Sequence, residues 1–418
     1  MNVLLKQSKI IDKSSSHHNS KKDILIENGI ITAINDQIDV NQADKVISSK
    51  NLHVSQGWID LKAHFCDPGH EYLETIETGL NKAASGGFTK VAILPSTKPV
   101  MDQNGSIDSV FRKAQHSATL PLPMGCLTKG MKGDELAELF DMRNSGAVMF
   151  TDDRISTSSG VLNNALMYAQ NFNGQITVSV GNASLYKNAQ VNEGVASLKT
   201  GLKGEPSISE VIEIERHLRI LEHTNGRLHL SGVSTEEGAR LIAAAKKKGL
   251  NVTAETHIMN LCFEDEKVLD FDTNFKTIPP LRKKSDVQAL INALKEGVID
   301  CVVSNHRPTN EDEKDVDFET ASSDTPQLQT LFPALNSISK IDAELLVTIL
   351  AERPAKLLKI KHNAIEDRGL ANITIFDPTE KFDALVLSSK DKKYSPFNID
   401  SLQGKVLGIM NNGNLKLN

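Results

Sequence analysis

No stretch of this 418-residue chain approaches the ~20 consecutive apolar residues that a membrane-crossing helix needs. Its opening, Met1-Asn2-Val3-Leu4-Leu5-Lys6, also lacks the long apolar core of a secretion signal, so no such signal is expected. Basic blocks are missing too. Forty-seven Lys and Arg stand against 53 Asp and Glu, a net charge of −6, which leaves no electrostatic case for nucleic acid or an anionic membrane as partner. Cysteine is scarce: Cys66, Cys126, Cys262 and Cys301 are scattered without a C-x-x-C pair, which excludes a zinc knuckle or a disulfide framework and fits reduced thiols in a cytoplasmic protein. No repeat of fixed solenoid period is visible.

What is present is an alternation. With 39% hydrophobic residues the chain can bury a large core. From about residue 57 to 365, short apolar runs alternate with longer amphipathic segments, the pattern of a parallel sheet with crossover helices. The runs predict strands over Gly57–Phe65, Lys90–Pro95, Pro123–Thr128, Ala147–Asp153, Ile176–Val180, Leu228–Val233, Val252–Thr256 and Cys301–His306, with helices such as Leu73–Ala84, Glu210–Glu222 and Ser285–Glu296 between them. Eight such units define a (β/α)8, TIM-like α/β barrel over residues 57–365. Residues 1–56 and 366–418 carry shorter strand patterns, Val3–Ile11, Asp23–Ile34, Ala371–Asp377 and Lys405–Met410, with an Asn412-Gly413 turn. Together the two ends are expected to build one small β-sandwich domain. The loop Ser14–Ser20 holds adjacent His17 and His18, read as solvated, with metal binding as the alternative.

Chemistry in such a barrel sits at the C-terminal ends of its strands. The first end offers Asp60, Lys62, His64 and Cys66, the fourth Asp152-Asp153, the fifth Ser179, the sixth Gly232 and the eighth Asn305-His306-Arg307. Cys66 is read as a small packing residue, with a ligand role as the alternative. Gly57 to Gly69, Leu94-Pro95-Ser96-Thr97-Lys98-Pro99-Val100, Phe150-Thr151-Asp152-Asp153, Val233-Ser234-Thr235, Pro279-Pro280-Leu281-Arg282 and Ser395-Pro396-Phe397 together make the chain resemble dihydroorotase, of the type I branch of the amidohydrolase superfamily. The resemblance covers nearly the whole chain. It implies an amidohydrolase-type barrel, zinc, and the interconversion of carbamoyl aspartate and dihydroorotate in pyrimidine synthesis.

The departures from that pattern matter most. Where the family has D-x-H-x-H-x-R, this chain has Lys62 in place of one metal histidine and Cys66 in place of the arginine that grips the substrate carboxylate. An ammonium has no lone pair for a cation, and the bidentate fork is lost. By the resemblance, the other two metal histidines fall on Ser179 and Gly232, and the aspartate that is ligand and general base falls on Asn305, whose amide cannot take a proton from water. Substrate-contacting positions fall on Ser96, Ile278 and Thr309, and a Phe-Gly loop on Ser323-Asp324. Of the metal set only His64 and Asp153 remain. A four-ligand structural zinc site is worth roughly 10–16 kcal/mol, so each ligand carries about 3–4, and two leave too little.

The expectation is therefore a catalytically inactive homologue with no cofactor, its vestigial site comprising Lys62, His64, Asp153, Ser179, Gly232 and Asn305. Lys62 is expected to take the cation's place and pair with Asp153. Inactive chains of this family associate with aspartate transcarbamoylase, so that enzyme is the partner the resemblance implies, with homodimer formation also expected. The alternative is an active cyclic-amide hydrolase, of dihydroorotase, hydantoinase or allantoinase type, holding zinc through Cys66, His70, His229, His257 or His306. A third possibility is a sensor that binds an anion through Lys62, Lys98 or Arg307, the last two otherwise being surface charges.

Overall fold

The computed structural model describes residues 1–338, 341–397 and 402–418. Seven parallel strands and one extended segment close a barrel. Trp58–Ala63, Phe88–Ile93 and Leu120–Pro123 form one run of three strands, the third lying before the expected Pro123–Thr128, which turns into the site and pairs only through single bridges at Gly125 and Thr128. Ile176–Ser179, Leu228–Ser231, Val252–His257 and Cys301–Val303 form a run of four. The fourth position, expected as a strand over Ala147–Asp153, pairs through Phe150 alone, which bridges Gly125 on one side and Ile176 on the other. Its backbone still occupies a stave of the barrel, because Val148 N–H donates to the Pro123 carbonyl and Thr177 N–H to that of Phe150. What shortens it is the turn into the site: Asp153 takes a positive φ of 54°. The ring closes where Ala63 bridges His306 and the His64 N–H donates to the His306 carbonyl at 2.8 Å.

The crossover helices follow the apolar periodicity. The first runs over Ile76–Ser85 rather than from Leu73, because Thr75 caps it: its hydroxyl accepts the Thr78 N–H while the Thr78 hydroxyl accepts that of Thr75. The others named from sequence run over Ile208–Thr224 and Lys284–Glu296, ended by Asn225 and Gly297 in the left-handed conformation. Their buried faces join one large apolar core around the barrel, while Ile59, Leu61, Ala92, Met124, Met149, Cys301 and Val303 belong to a separate cluster.

Both chain ends build a single eight-stranded sheet, its outer strands Ile30–Asn35 and Asn414–Leu417. The sheet curls, so that Ile24, Ile26 and Ile34 from one end meet Ile373, Ile375 and Met410 from the other in one core, as two layers of a sandwich would. The tight turns Asn28-Gly29 and Asn412-Gly413 all take positive φ, the requirement of two-residue hairpins. The Ser14–Ser20 loop is less solvated than its polarity suggests: the buried Ser15 hydroxyl donates to the Ile365 carbonyl at 2.7 Å, and His17 and His18 face Glu366 and Glu344.

Trp58, the sole tryptophan, joins barrel to sheet. Fully buried, it packs on Phe88, Phe332 and Phe376, with ring centroids 6.4, 4.8 and 5.1 Å away, and its indole N–H donates to Ser55 Oγ. Trp58→Ala is expected to lower unfolding free energy by about 3–5 kcal/mol in a denaturant titration, since it leaves a large cavity among three packed phenylalanines of the main core.

Candidate active site at the barrel mouth

The strand ends bring together the positions expected from sequence but fill them with ion pairs. Arg307 Nη2 donates to both carboxylate oxygens of Asp153, at 2.6 and 2.7 Å, and Ser96 Oγ donates to Oδ2 at 2.8 Å. Burial pushes the Asp153 carboxyl up, but the charges of Arg307, Lys62 and Arg154 outweigh it and hold the group well below the usual carboxylate range. Arg307 is thus a buried partner rather than a surface charge, whereas Lys98 is exposed. Asp324 takes the other side, 3.0 Å from Arg154 Nη1 and 4.0 Å from Arg307 Nε.

Lys62 does not make the expected direct pair with Asp153. Its Nζ donates to Ser231 Oγ at 2.7 Å and lies 3.3 Å from His257 Nε2 and 3.9 Å from Glu255 Oε1. The reason is the seventh strand, whose inward residues Thr253, Glu255 and His257 stand beside His229 and Ser231 of the sixth. Ser231 Oγ donates to Glu255 Oε1 at 2.7 Å, and His229 spans Glu255 Oε2 and Thr253 Oγ1. Burial raises the Glu255 carboxyl, yet the His229 bond and Lys62 hold it below its ordinary value. Burial lowers the Lys62 ammonium against the pull of Glu255 and Asp153, and burial with Lys62 nearby pushes His257 well down. Lys62, Arg154 and Arg307 therefore face Asp153, Asp324 and Glu255, cation for carboxylate.

The donor set does not fit a metal. His64 Nδ1 accepts the Cys66 N–H at 3.2 Å, which puts its proton on Nε2, donated to the Ser96 carbonyl at 3.1 Å. Neither ring nitrogen keeps a free lone pair. Among the described residues no group of three His, Cys, Asp or Glu side chains is arranged to hold a metal ion. Gly232, with φ of 83°, could not carry an imidazole cheaply, since a Cβ there would sit 3.3 Å from His257 Nε2 and from Pro279. Ser179 lines the mouth, and Asn305 is buried with its amide oxygen unpartnered.

Of the substitute ligands, His229 and His306 are engaged elsewhere. His306 Nδ1 accepts the Gln327 N–H, and Nε2 bonds Glu74 at 2.8 Å. His70 packs against Tyr72. Cys66 is buried, its thiol pushed up to about 12 by burial. Thr309 bonds Glu313, while Ile278 stays 41% exposed at the rim. Asp60 accepts the Ser304 N–H and hydroxyl, and burial brings its carboxyl up to about 7. An inner cavity of about 30 Å3, lined by Lys62, Arg154, Ser179, Tyr186 and His257, adjoins a chamber of about 210 Å3 with which it shares Tyr186, Glu205 and Ile278.

The barrel with its curled sheet is the fold of solved hydantoinases and dihydropyrimidinases. The L-hydantoinase (dihydropyrimidinase) of Arthrobacter aurescens superposes with a TM-score of 0.82 at 22% identity, covering 99% of this chain and 95% of that one. The dihydropyrimidinase of Brevibacillus agri superposes with a TM-score of 0.82 at 21% identity, with the same coverage. The Dihydro-orotase-like family model matches residues 52–238. The dihydroorotase of Acetivibrio thermocellus is 36% identical over 420 residues, spanning 99% of this chain and 98% of that protein. That of a Thermoanaerobacter species is 35% identical over 427 residues, spanning 100% and 97%. The chain belongs to the dihydroorotase-like family.

Arg307→Met should cost about 3–5 kcal/mol at neutral pH by leaving Asp153 buried without its cation. Lys62→Ala should cost less, because Glu255 keeps His229 and Ser231. The folded Asp153 value lies below the unfolded value of about 3.9, so the pair's contribution is whole above about pH 4 and is lost as pH falls toward the folded value. Denaturant titrations between neutral and acid pH should therefore show a shallower acid slope for Arg307→Met than for the parent protein.

Proposed function

We propose that this chain is a non-catalytic, dihydroorotase-like subunit of pyrimidine biosynthesis that acts structurally, as a partner of aspartate transcarbamoylase. The observation behind it is the occupied mouth. Arg307 and Lys62 engage the carboxylates that would otherwise face a cation, and the two retained ligand positions are both committed to protein partners. Ring opening needs a hydroxide at neutral pH, which a bound metal supplies, and a base to make it. Here the base position is Asn305, whose amide cannot take a proton from water. The inner cavity of about 30 Å3 holds two or so waters, not a six-membered ring with its carboxylate.

An inactive barrel contributes through its surface, and the family precedent for inactive chains is assembly with aspartate transcarbamoylase. Purified protein, supplied with zinc and desalted, is expected to retain no stoichiometric metal and to leave dihydroorotate and carbamoyl aspartate unchanged. Co-expression with aspartate transcarbamoylase from the same source is expected to give a stable complex by size-exclusion chromatography. Bound metal with turnover would overturn the non-catalytic part, and separate elution of the two proteins would overturn the structural part.

A further inference from the structure

We propose that Lys62 is a covalent capture site for a small 2-oxo acid, which its Nζ binds as an imine within the barrel mouth. The amine lies on the wall of the inner cavity of about 30 Å3, beside the chamber of about 210 Å3 from which a compact molecule would enter. Dry surroundings favour imine over its hydrolysis, and the Lys62 side chain is only 9% exposed.

The chemistry around the nitrogen is suited to the step. His257 Nε2 sits 3.3 Å from Nζ, within reach of its proton, and His257 Nδ1 is buried with no hydrogen-bond partner. Ser231 Oγ, itself bonded to Glu255, fixes Nζ from the other side at 2.7 Å. Arg154 lines the same cavity. One of its terminal nitrogens pairs with Asp324, and the other, Nη2, is buried without a partner, a donor that a carboxylate would satisfy. A carbonyl for Lys62 with a carboxylate for Arg154 describes an oxo acid, and the small inner cavity they both line favours the shortest spacing, a 2-oxo acid.

The step balances within the site. The Lys62 ammonium gives one proton to His257 Nε2, and the free amine attacks the carbonyl carbon. The C–N bond forms as the C=O π pair moves to oxygen, the proton returns from His257, and a second N–H proton leaves with that oxygen as water. Ammonium and ketone or aldehyde thus become iminium and one water, with no oxidant or reductant. This inference is independent of the partner proposed above, since adduct formation and complex formation are measured separately.

The test is reductive trapping on the full-length protein with glyoxylate and cyanoborohydride, read by intact mass and peptide mapping. One adduct per chain is expected, at Lys62, at glyoxylate concentrations that leave exposed lysines such as Lys98 unlabelled. Lys62→Arg, which keeps the cation but forms no reducible imine, should abolish it. Arg154→Gln should reduce glyoxylate labelling about tenfold while leaving labelling by propionaldehyde, which has no carboxylate, unchanged. Labelling spread over surface lysines, or undiminished in Lys62→Arg, would overturn the site. Equal glyoxylate labelling of Arg154→Gln and the parent would overturn the 2-oxo acid. Should Lys62→Arg fail to fold, the mapped position in the parent protein decides alone.

Discussion

The buried pairing of Arg307 with Asp153 is the interaction on which the barrel mouth depends. A carboxylate at the end of a barrel strand, cut off from water, needs a compensating positive charge. Arg307 provides one with a single terminal nitrogen reaching both oxygens, and Ser96 satisfies a further lone pair. Once that carboxylate is neutralised internally, the rest of the mouth can relax around it: Asp324 spans both arginines, Lys62 turns to the seventh strand, and His64 is free to bond backbone rather than an ion.

The fold makes this possible by keeping geometry and chemistry apart. Trp58 anchors the start of the first strand against the terminal sheet, while Lys62 and His64 emerge from the same strand six residues later or less. The apolar layer below the mouth, with Ile59, Leu61 and Met149, does not depend on which charges sit above it. The mouth can therefore carry Lys62, Ser179, Gly232 and Asn305 while the barrel still superposes on a solved hydantoinase with a TM-score of 0.82.

Much of this was legible in the sequence, for physical reasons. Strand periodicity located six of the barrel's staves; it puts the third over Pro123–Thr128, whereas the strand is Leu120–Pro123 and the run after it pairs only through single bridges at Gly125 and Thr128. The loss of ligand-type residues at the strand ends was plain from identity alone. The fourth strand was over-read because an apolar run specifies burial, not a hydrogen-bonded ladder, and only Phe150 pairs. The partner of Asp153 was missed because Arg307 follows the eighth strand, and a charge beside a proline and polar residues looks like a loop. A signal was available for Glu255 and His257. Val252-Thr253-Ala254-Glu255-Thr256-His257 places polar groups at every second position of an interior strand, which is where a buried polar row must lie. Which cation meets which carboxylate depends on side-chain reach across strands, and sequence spacing does not encode that.

The matched charges of the mouth also constrain which substitutions it can accept. Lys62, Arg154 and Arg307 balance Asp153, Asp324 and Glu255 as a set, so exchanging one of them for a neutral residue upsets the charge balance of a desolvated cluster, most of all at the Arg307–Asp153 pair. Building a metal centre here one residue at a time would pass through such unbalanced charge sets. Gly232, hemmed in by His257, adds a steric bar to the same path. The charges act in this sense as a ratchet: residues that contact one another in one network change at coupled cost, so the mouth resists replacement one residue at a time.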